Sequence, residues 1–169
     1  MTNSIKPPTK VRRVILGQDP AKSESYIVED ELLDSSEFPG VGQLFTLWAH
    51  DEALDLSAPE AMLGFNGTFP PLGGARVYLT RFSPKIGNPQ VSNGNPIADM
   101  PSANDVHRSE TCDVNIVLYG AMDCVLSNGS SVRLNAGEII VLMGADHAWA
   151  NAQDQESAML FFIYGAQER

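Results

Sequence analysis

Three side chains carry the residue types for shared chemistry: His107, Asp113 and His147. One segment supplies an imidazole and a carboxylate, and a later one supplies a second imidazole. Two neutral nitrogen donors and one anionic oxygen suit Fe, Mn or Zn and leave coordination positions open for water, oxygen or substrate. His107 and Asp113 stand six residues apart in VHRSETCDVNIVLYG and share one parity with Ser109, Asn115, Val117 and Tyr119. If Asp113 opens a strand, its carboxylate is on the face that carries Asn115 and Tyr119. His147, Trp149 and Asn151 are two apart in GEIIVLMGADHAWAN, so an extended backbone points all three to one side, the candidate pocket wall.

Around this set, Tyr119 and Trp149 read either as core or rim packing or as the aromatic wall of a ligand pocket, with Asn115 as a polar contact. Arg81, in ARVYLTRFS, has the fork to hold a substrate carboxylate by two parallel hydrogen bonds; a surface ion pair is the other reading. His50 ends QLFTLWAH just before Asp51 and Glu52 and reads as a solvent-facing histidine. Cys112 has parity opposite to Asp113 and no histidine placed to activate it, so a nucleophile is not expected. No phosphate-cradling Gly loop, no Ser-His-Asp order and no zinc-finger spacing is present.

The elements that position these residues read as strands. Candidate runs, bounded by Gly, Pro, Asp or Ser, fall at 12–16, 24–29, 43–50 and 76–83. Behind them come 113–119, 122–126, 131–134, 138–143, 147–151 and 157–164. The cadence argues an all-β sandwich or barrel. Ile139 to Met143 is an unbroken apolar run flanked by Gly137 and Gly144, which reads as a strand buried on both faces. Asn128-Gly129 predicts a type I′ hairpin. Phe161, Phe162 and Ile163 form a continuous apolar strand whose outer face a dimer contact would cover. Asp51 to Leu63 is the one stretch suited to a short helix, limited by Pro59. Pro84 to Asn104 is a loop of about twenty residues, long enough to be an insertion or a lid over a site.

Composition sets the outer limits. At 169 residues one core is expected. Eleven basic against twenty-one acidic residues give a net charge of -10. That field repels phosphate backbones and anionic membranes, so neither nucleic acid nor membrane is an expected partner. Lys6, Lys10, Arg12 and Arg13 read as part of a solvated N-terminal arm over residues 1–11, with order from about Arg12. The N-terminus lacks the apolar run of a secretory leader, and no window approaches the ~18 apolar residues of a membrane helix. A cytoplasmic protein with reduced Cys112 and Cys124 is the expectation, and nothing in their spacing demands a bridge.

The segment from about Asp105 to Tyr164 resembles the small single-domain cupins of the cupin 2 conserved-barrel type, whose motifs are G(X)5HXH(X)3-4E(X)6G and G(X)5PXG(X)2H(X)3N. In the second, Gly137, Gly144, His147 and Asn151 match, Leu142 takes the proline position, and the spacing from Gly137 is one residue short. In the first, His107 takes the first histidine, Asp113 the glutamate with six residues between it and Gly120, and Ser109 the second histidine. The match is closest to cupins in which HRTDTxDYGIV precedes GDxVVxxGxxHAWxN; RRVILGQD followed by Lys22-Ser23 resembles the opening of those longer cupins. The resemblance implies an all-β jelly-roll barrel or sandwich with few or no helices, one domain over 12–169, a site in its mouth and often a strand-exchanging homodimer. It implies a small-molecule enzyme, an oxygenase, decarboxylase or lyase on an oxygenated acid, phenol or related metabolite. His107, Asp113 and His147 would be its metal ligands and catalytic residues, and Tyr119, Trp149, Asn115 and Arg81 its substrate contacts. The cofactor would be a divalent transition metal, Fe, Mn, Zn or Ni, or none. Ser109 in a ligand position motivates the rival reading of a metal-free dehydratase or isomerase working by acid–base chemistry. A non-catalytic binding cupin is the third reading.

Overall fold

Turn residues set the rhythm of the chain, and between them β-branched and aromatic runs leave the backbone little choice but to extend. The computed structural model describes residues 6–19, 21–22, 24–52, 65–87 and 106–167. Every regular element among them is a strand: β1 Lys10–Asp19, β2 Glu24–Asp34, β3 Ser36–Phe38, β4 Gly42–His50, β5 Ala75–Phe82 and β6 Thr111–Tyr119. The remainder are β7 Ala121–Leu126, β8 Ser131–Asn135, β9 Ile139–Met143, β10 His147–Ala150 and β11 Ser157–Gly165. Of the helix expected from Asp51 to Leu63, residues 53–63 lie outside the described residues, as does the loop expected from Pro84 to Asn104 beyond Gly87.

Two sheets face each other across the core. One has six strands in the order β3-β4-β5-β11-β6-β9, the other three in the order β10-β7-β8, and every pairing is antiparallel. The C-terminal strand β11 sits between β5 and β6, so the front and back halves of the chain share one sheet. Val117, Met159, Phe161 and Ile163 of the large sheet pack with Met122, Cys124 and Trp149 of the small one in a single buried cluster. The register places inward side chains in rows: Asp113 between Ile163 and Leu142, and Asn115 between Phe161 and Ile140.

The hairpin β1–β2 forms its own two-stranded sheet, with a bulge between Ile15 and Leu16. The basic side chains near the N-terminus meet the acids of β2 here. Lys10 pairs with Asp34 at 2.5 Å, Arg12 with Asp30 at 2.6 Å, and Arg13 with both Glu29, at 2.8 Å, and Glu31. Arg13 also donates to the Leu47 carbonyl at 3.0 Å, which ties the hairpin to β4.

Two expectations are corrected. The run Ile139 to Met143 is not buried on both faces: Leu142 is 5% exposed, but Ile139, Val141 and Met143 are 59%, 54% and 75% exposed. The reason is position, since β9 is the edge strand of the six-stranded sheet and only its inner face meets the core. The Asn128-Gly129 hairpin is not type I′, because among these two only Gly129 has positive φ, at 81°. Asn128 instead accepts hydrogen bonds on its side-chain oxygen from the Ser130 N–H, at 3.0 Å, and hydroxyl, at 2.7 Å. That local bond holds Asn128 out of the left-handed region, and Gly129 donates back to the Leu126 carbonyl at 2.9 Å to close a longer loop.

Candidate active site

His107 and His147 are brought side by side by the backbone. Each N–H donates to the other's carbonyl, at 2.9 and 3.0 Å, so the two residues form a directly opposed antiparallel pair. Their ring centroids lie 4.6 Å apart. The turn that delivers His147 is Gly144, at φ 61°, whose N–H donates to the Thr111 carbonyl at 3.1 Å. Glycine adopts that conformation without the Cβ clash of other residues, and the turn is thereby seated on the first residue of β6.

The protonation of His147 follows from its contact. Nδ1 lies 2.8 Å from the Ala145 carbonyl, which can only accept, so Nδ1 carries the hydrogen and Nε2 keeps a lone pair. His147 is 4% exposed, and burial pushes its pKa below the ordinary histidine value, against smaller opposing effects of the Ala145 contact and Asp146. Asp113, 5% exposed, is shifted the other way: burial raises its carboxyl above the usual carboxylate range, partly offset by the Thr111 hydroxyl and by His107. Both groups are thus biased toward their neutral forms. Thr111 Oγ1 donates to Asp113 Oδ1 at 2.6 Å, and Ser109 Oγ lies 2.7 Å from Thr111 Oγ1. With its one hydrogen given to Asp113, Thr111 accepts from Ser109, so Ser109 supports the carboxylate at one remove.

All three residues line one cavity of about 90 Å³. The rest of its wall is largely aromatic: Phe38, Phe69, Tyr78, Phe82, Trp149 and Phe161. Trp149 stands edge-on to both His147, at 5.8 Å between centroids, and Phe161, at 6.0 Å. Phe69 approaches His107 at 6.1 Å. Tyr78 donates its hydroxyl to the Thr68 carbonyl at 3.1 Å, and burial raises its pKa. The arrangement is an apolar slot with titratable groups at one place, the form expected of a small-molecule site.

The sequence-predicted contacts divide. Trp149 is in the wall. Tyr119 is not: β6 carries an extra residue opposite the Ala158/Met159 step, and that bulge takes Tyr119 out of the alternation that holds Asp113, Asn115 and Val117 inward. Arg81 is not either. Tyr78 and Phe82 on β5 line the cavity, so the odd-numbered Arg81 points to the opposite face, where its Nη2 donates to both Glu156 oxygens at 2.8 and 2.9 Å. Asn115 faces inward and is fully buried, but it stands behind the cavity wall. Asn151 also leaves the expected wall, donating to the Ser83 and Gln155 carbonyls at 3.0 and 2.8 Å. His50 is half-buried against Trp48, with Nδ1 2.6 Å from the Glu52 carbonyl. Of the residues missed, Tyr78, Thr80 and Phe82 were readable as one face of a predicted strand, whereas Phe38 and Phe69 lie where no periodicity marks them.

Among the described residues, no group of three or more His, Cys, Asp or Glu side chains is arranged to hold a metal ion. His107, Asp113 and His147 share a cavity but do not converge as a ligand set.

No family model matches the chain. The phomopsin biosynthesis cluster proteins C′ and D of Diaporthe leptostromiformis are each 34% identical to it over 58 residues, 34% of this chain and 31% of theirs. The match therefore spans about a third of the length of these curated relatives. Among solved structures, the cupin domain of Schizosaccharomyces pombe Cnp3 superposes with a TM-score of 0.52 at 9% identity, covering 94% of this chain and 89% of that one. KdgF from Halomonas sp. gives a TM-score of 0.48 at 14% identity, covering 80% and 90%. At 9% identity the likeness to the Cnp3 domain is one of fold.

Proposed function

We propose, starting from a chain whose fold is the cupin jelly roll, that its cavity is the active site of an enzyme moving protons on small oxygenated, ring-bearing molecules. The observation that carries this reading is the meeting of His107, Asp113 and His147 in one aromatic slot. His147 Nε2, kept unprotonated by burial and by the Nδ1 contact, is the base. It takes a proton from the carbon beside a substrate carbonyl. Asp113, in the same cavity and steadied by the Thr111 hydroxyl, completes the polar end of the site and orients the substrate beside the base. His107 stands beside the base, its ring centroid 4.6 Å from that of His147. Such a set serves isomerisation, dehydration or decarboxylation of an oxygenated acid, ketone or phenol.

A metal-dependent form of the same enzyme, of oxygenase, decarboxylase or lyase type, is favoured by one observation. A histidine whose Nδ1 is tied to a backbone carbonyl presents Nε2 in the manner of a metal ligand. The described donors are not arranged around a single point. Metal content of protein purified without chelator separates the two readings: an equimolar transition metal whose removal abolishes turnover supports the second.

The test of the first is deuterium exchange. Acetophenone, a ring ketone with exchangeable methyl hydrogens, is incubated with the protein in D2O and followed by proton NMR. Exchange above background is expected, falling about 100-fold or more in His147→Gln. Exchange unchanged in that variant refutes the base assignment.

A further inference from the structure

Asn115 is fully buried on the inner face of β6, and neither its side-chain oxygen nor its nitrogen has a partner. Among the described residues it is the one side chain whose polar atoms are all buried and all unpaired. The other two atoms in that condition, Arg13 Nε and Arg81 Nε, belong to guanidinium groups bound through other nitrogens. The contrast with Asn151 is direct. Asn151 is equally buried, yet its amide donates to Ser83 and Gln155 and accepts from the Gln153 N–H at 3.1 Å. The fold can satisfy a buried amide and at Asn115 does not. Desolvating two strong hydrogen-bonding groups without return destabilises the protein, and a residue of that kind calls for a use.

Its place indicates the use. Asn115 lies two residues along the same strand face from Asp113, so the two side chains stand about 7 Å apart along β6. Its cross-strand neighbour is Phe161, which lines the cavity and packs edge-on against Trp149. We propose that Asn115 is the second polar anchor of the ligand site. The ligand is a flat ring with an oxygen at each end, one at His107, Asp113 and His147 and the other reaching the Asn115 amide past the Phe161 ring. This inference rests on the proposed function for the first oxygen and adds the substrate's shape and its second polar group. The amide, with one donor pair and one acceptor, fits a hydroxyl or a carbonyl at that far end. A site built to hydrogen-bond such a group discriminates against the analogue that lacks it, because the buried amide is then left unpaired.

The test compares acetophenone with 4-hydroxyacetophenone, which differs by a hydroxyl opposite the ketone, in binding to the full chain measured by calorimetry. Wild type is expected to bind the hydroxylated probe about tenfold more tightly, the worth of one hydrogen bond. Asn115→Leu, near-isosteric and apolar, is expected to raise the melting temperature by about 2–4 °C and to erase the preference. Asn115→Ala, smaller and free of overpacking, serves as the second variant and is also expected to lose the preference. Preference retained in either folded variant overturns the proposal, and so does a wild type that binds the two probes equally or binds neither. His147→Gln separates this proposal from the one it rests on. If that variant keeps the preference and its deuterium exchange is undiminished, the base assignment fails while the anchor stands; if exchange is lost in His147→Gln but the preference survives in Asn115→Leu, the anchor fails alone.

Discussion

Replacing Thr111 with valine swaps one hydroxyl for a methyl of nearly the same size at a position 4% exposed. Packing is conserved, so the change removes the hydrogen bond from Thr111 Oγ1 to Asp113 Oδ1 at 2.6 Å together with the one Thr111 accepts from Ser109. With Asp113 ionised the bond is charge-assisted and its loss costs about 2 kcal/mol. For a chain of this length that lowers the melting temperature by roughly 4–8 °C. With Asp113 protonated the bond is between neutral groups, and the cost falls to about 1 kcal/mol. The destabilisation is therefore expected to be larger at pH 8 than at pH 4, measured by circular-dichroism melts of both proteins at each pH. Ser109, half-buried and one bond further from the carboxylate, sets the internal control: Ser109→Ala is expected to cost about 1 kcal/mol or less at either pH. A Thr111→Val loss that is the same at the two pH values refutes the reasoning, because Thr111 would then not be serving a titrating carboxylate.

Burial lowers the pKa of His147 and raises that of Asp113, and the two have opposite signs in stability. The His147 contribution is fully present above pH 6.5 and is lost as pH falls through its folded value; that of Asp113 is present below pH 3.8 and lost as pH rises through its folded value. Calorimetric melts are accordingly expected to show His147→Gln flattening the acid-side decline and Asp113→Asn raising the melting temperature at pH 7; a decrease at pH 7 would contradict the Asp113 assignment. Arg81→Met is expected to leave acetophenone binding unchanged, since the guanidinium faces away from the cavity and holds Glu156; weakened binding by calorimetry would return Arg81 to the site. Ile139, Val141 and Met143 leave an apolar stripe exposed on an edge strand, which a second copy of the chain is expected to cover. Light scattering is expected to show a dimer that Val141→Glu converts to a monomer, and a monomeric wild type would count against it.

Much of the architecture was readable because strands and turns leave local marks. The run 157–164 announced β11, and the two-residue spacing of His147 and Trp149 anticipated that both would share a wall, although Asn151, expected beside them, leaves it. What local marks lack is which strand ends at a sheet edge. β9 has the apolar content of a two-sided strand, yet three of its five residues are exposed, since burial depends on neighbours brought from elsewhere in the chain. The same limit explains Tyr119, where a single bulged residue undid a correct parity, and Phe38, which sits on a three-residue strand too short for any period to appear. Asn128-Gly129 failed differently. The dipeptide suits a type I′ turn, but a competing side-chain bond to Ser130 stabilised another loop.

The most direct measurement is the nitrogen-15 spectrum of the His147 imidazole in the wild-type protein as pH is varied. The account requires a hydrogen on Nδ1, a free lone pair on Nε2 and a midpoint below the ordinary histidine value of 6.5. A ring protonated on Nε2 near neutrality, or one that titrates above 6.5, would leave no base facing the cavity and would contradict the proposed chemistry.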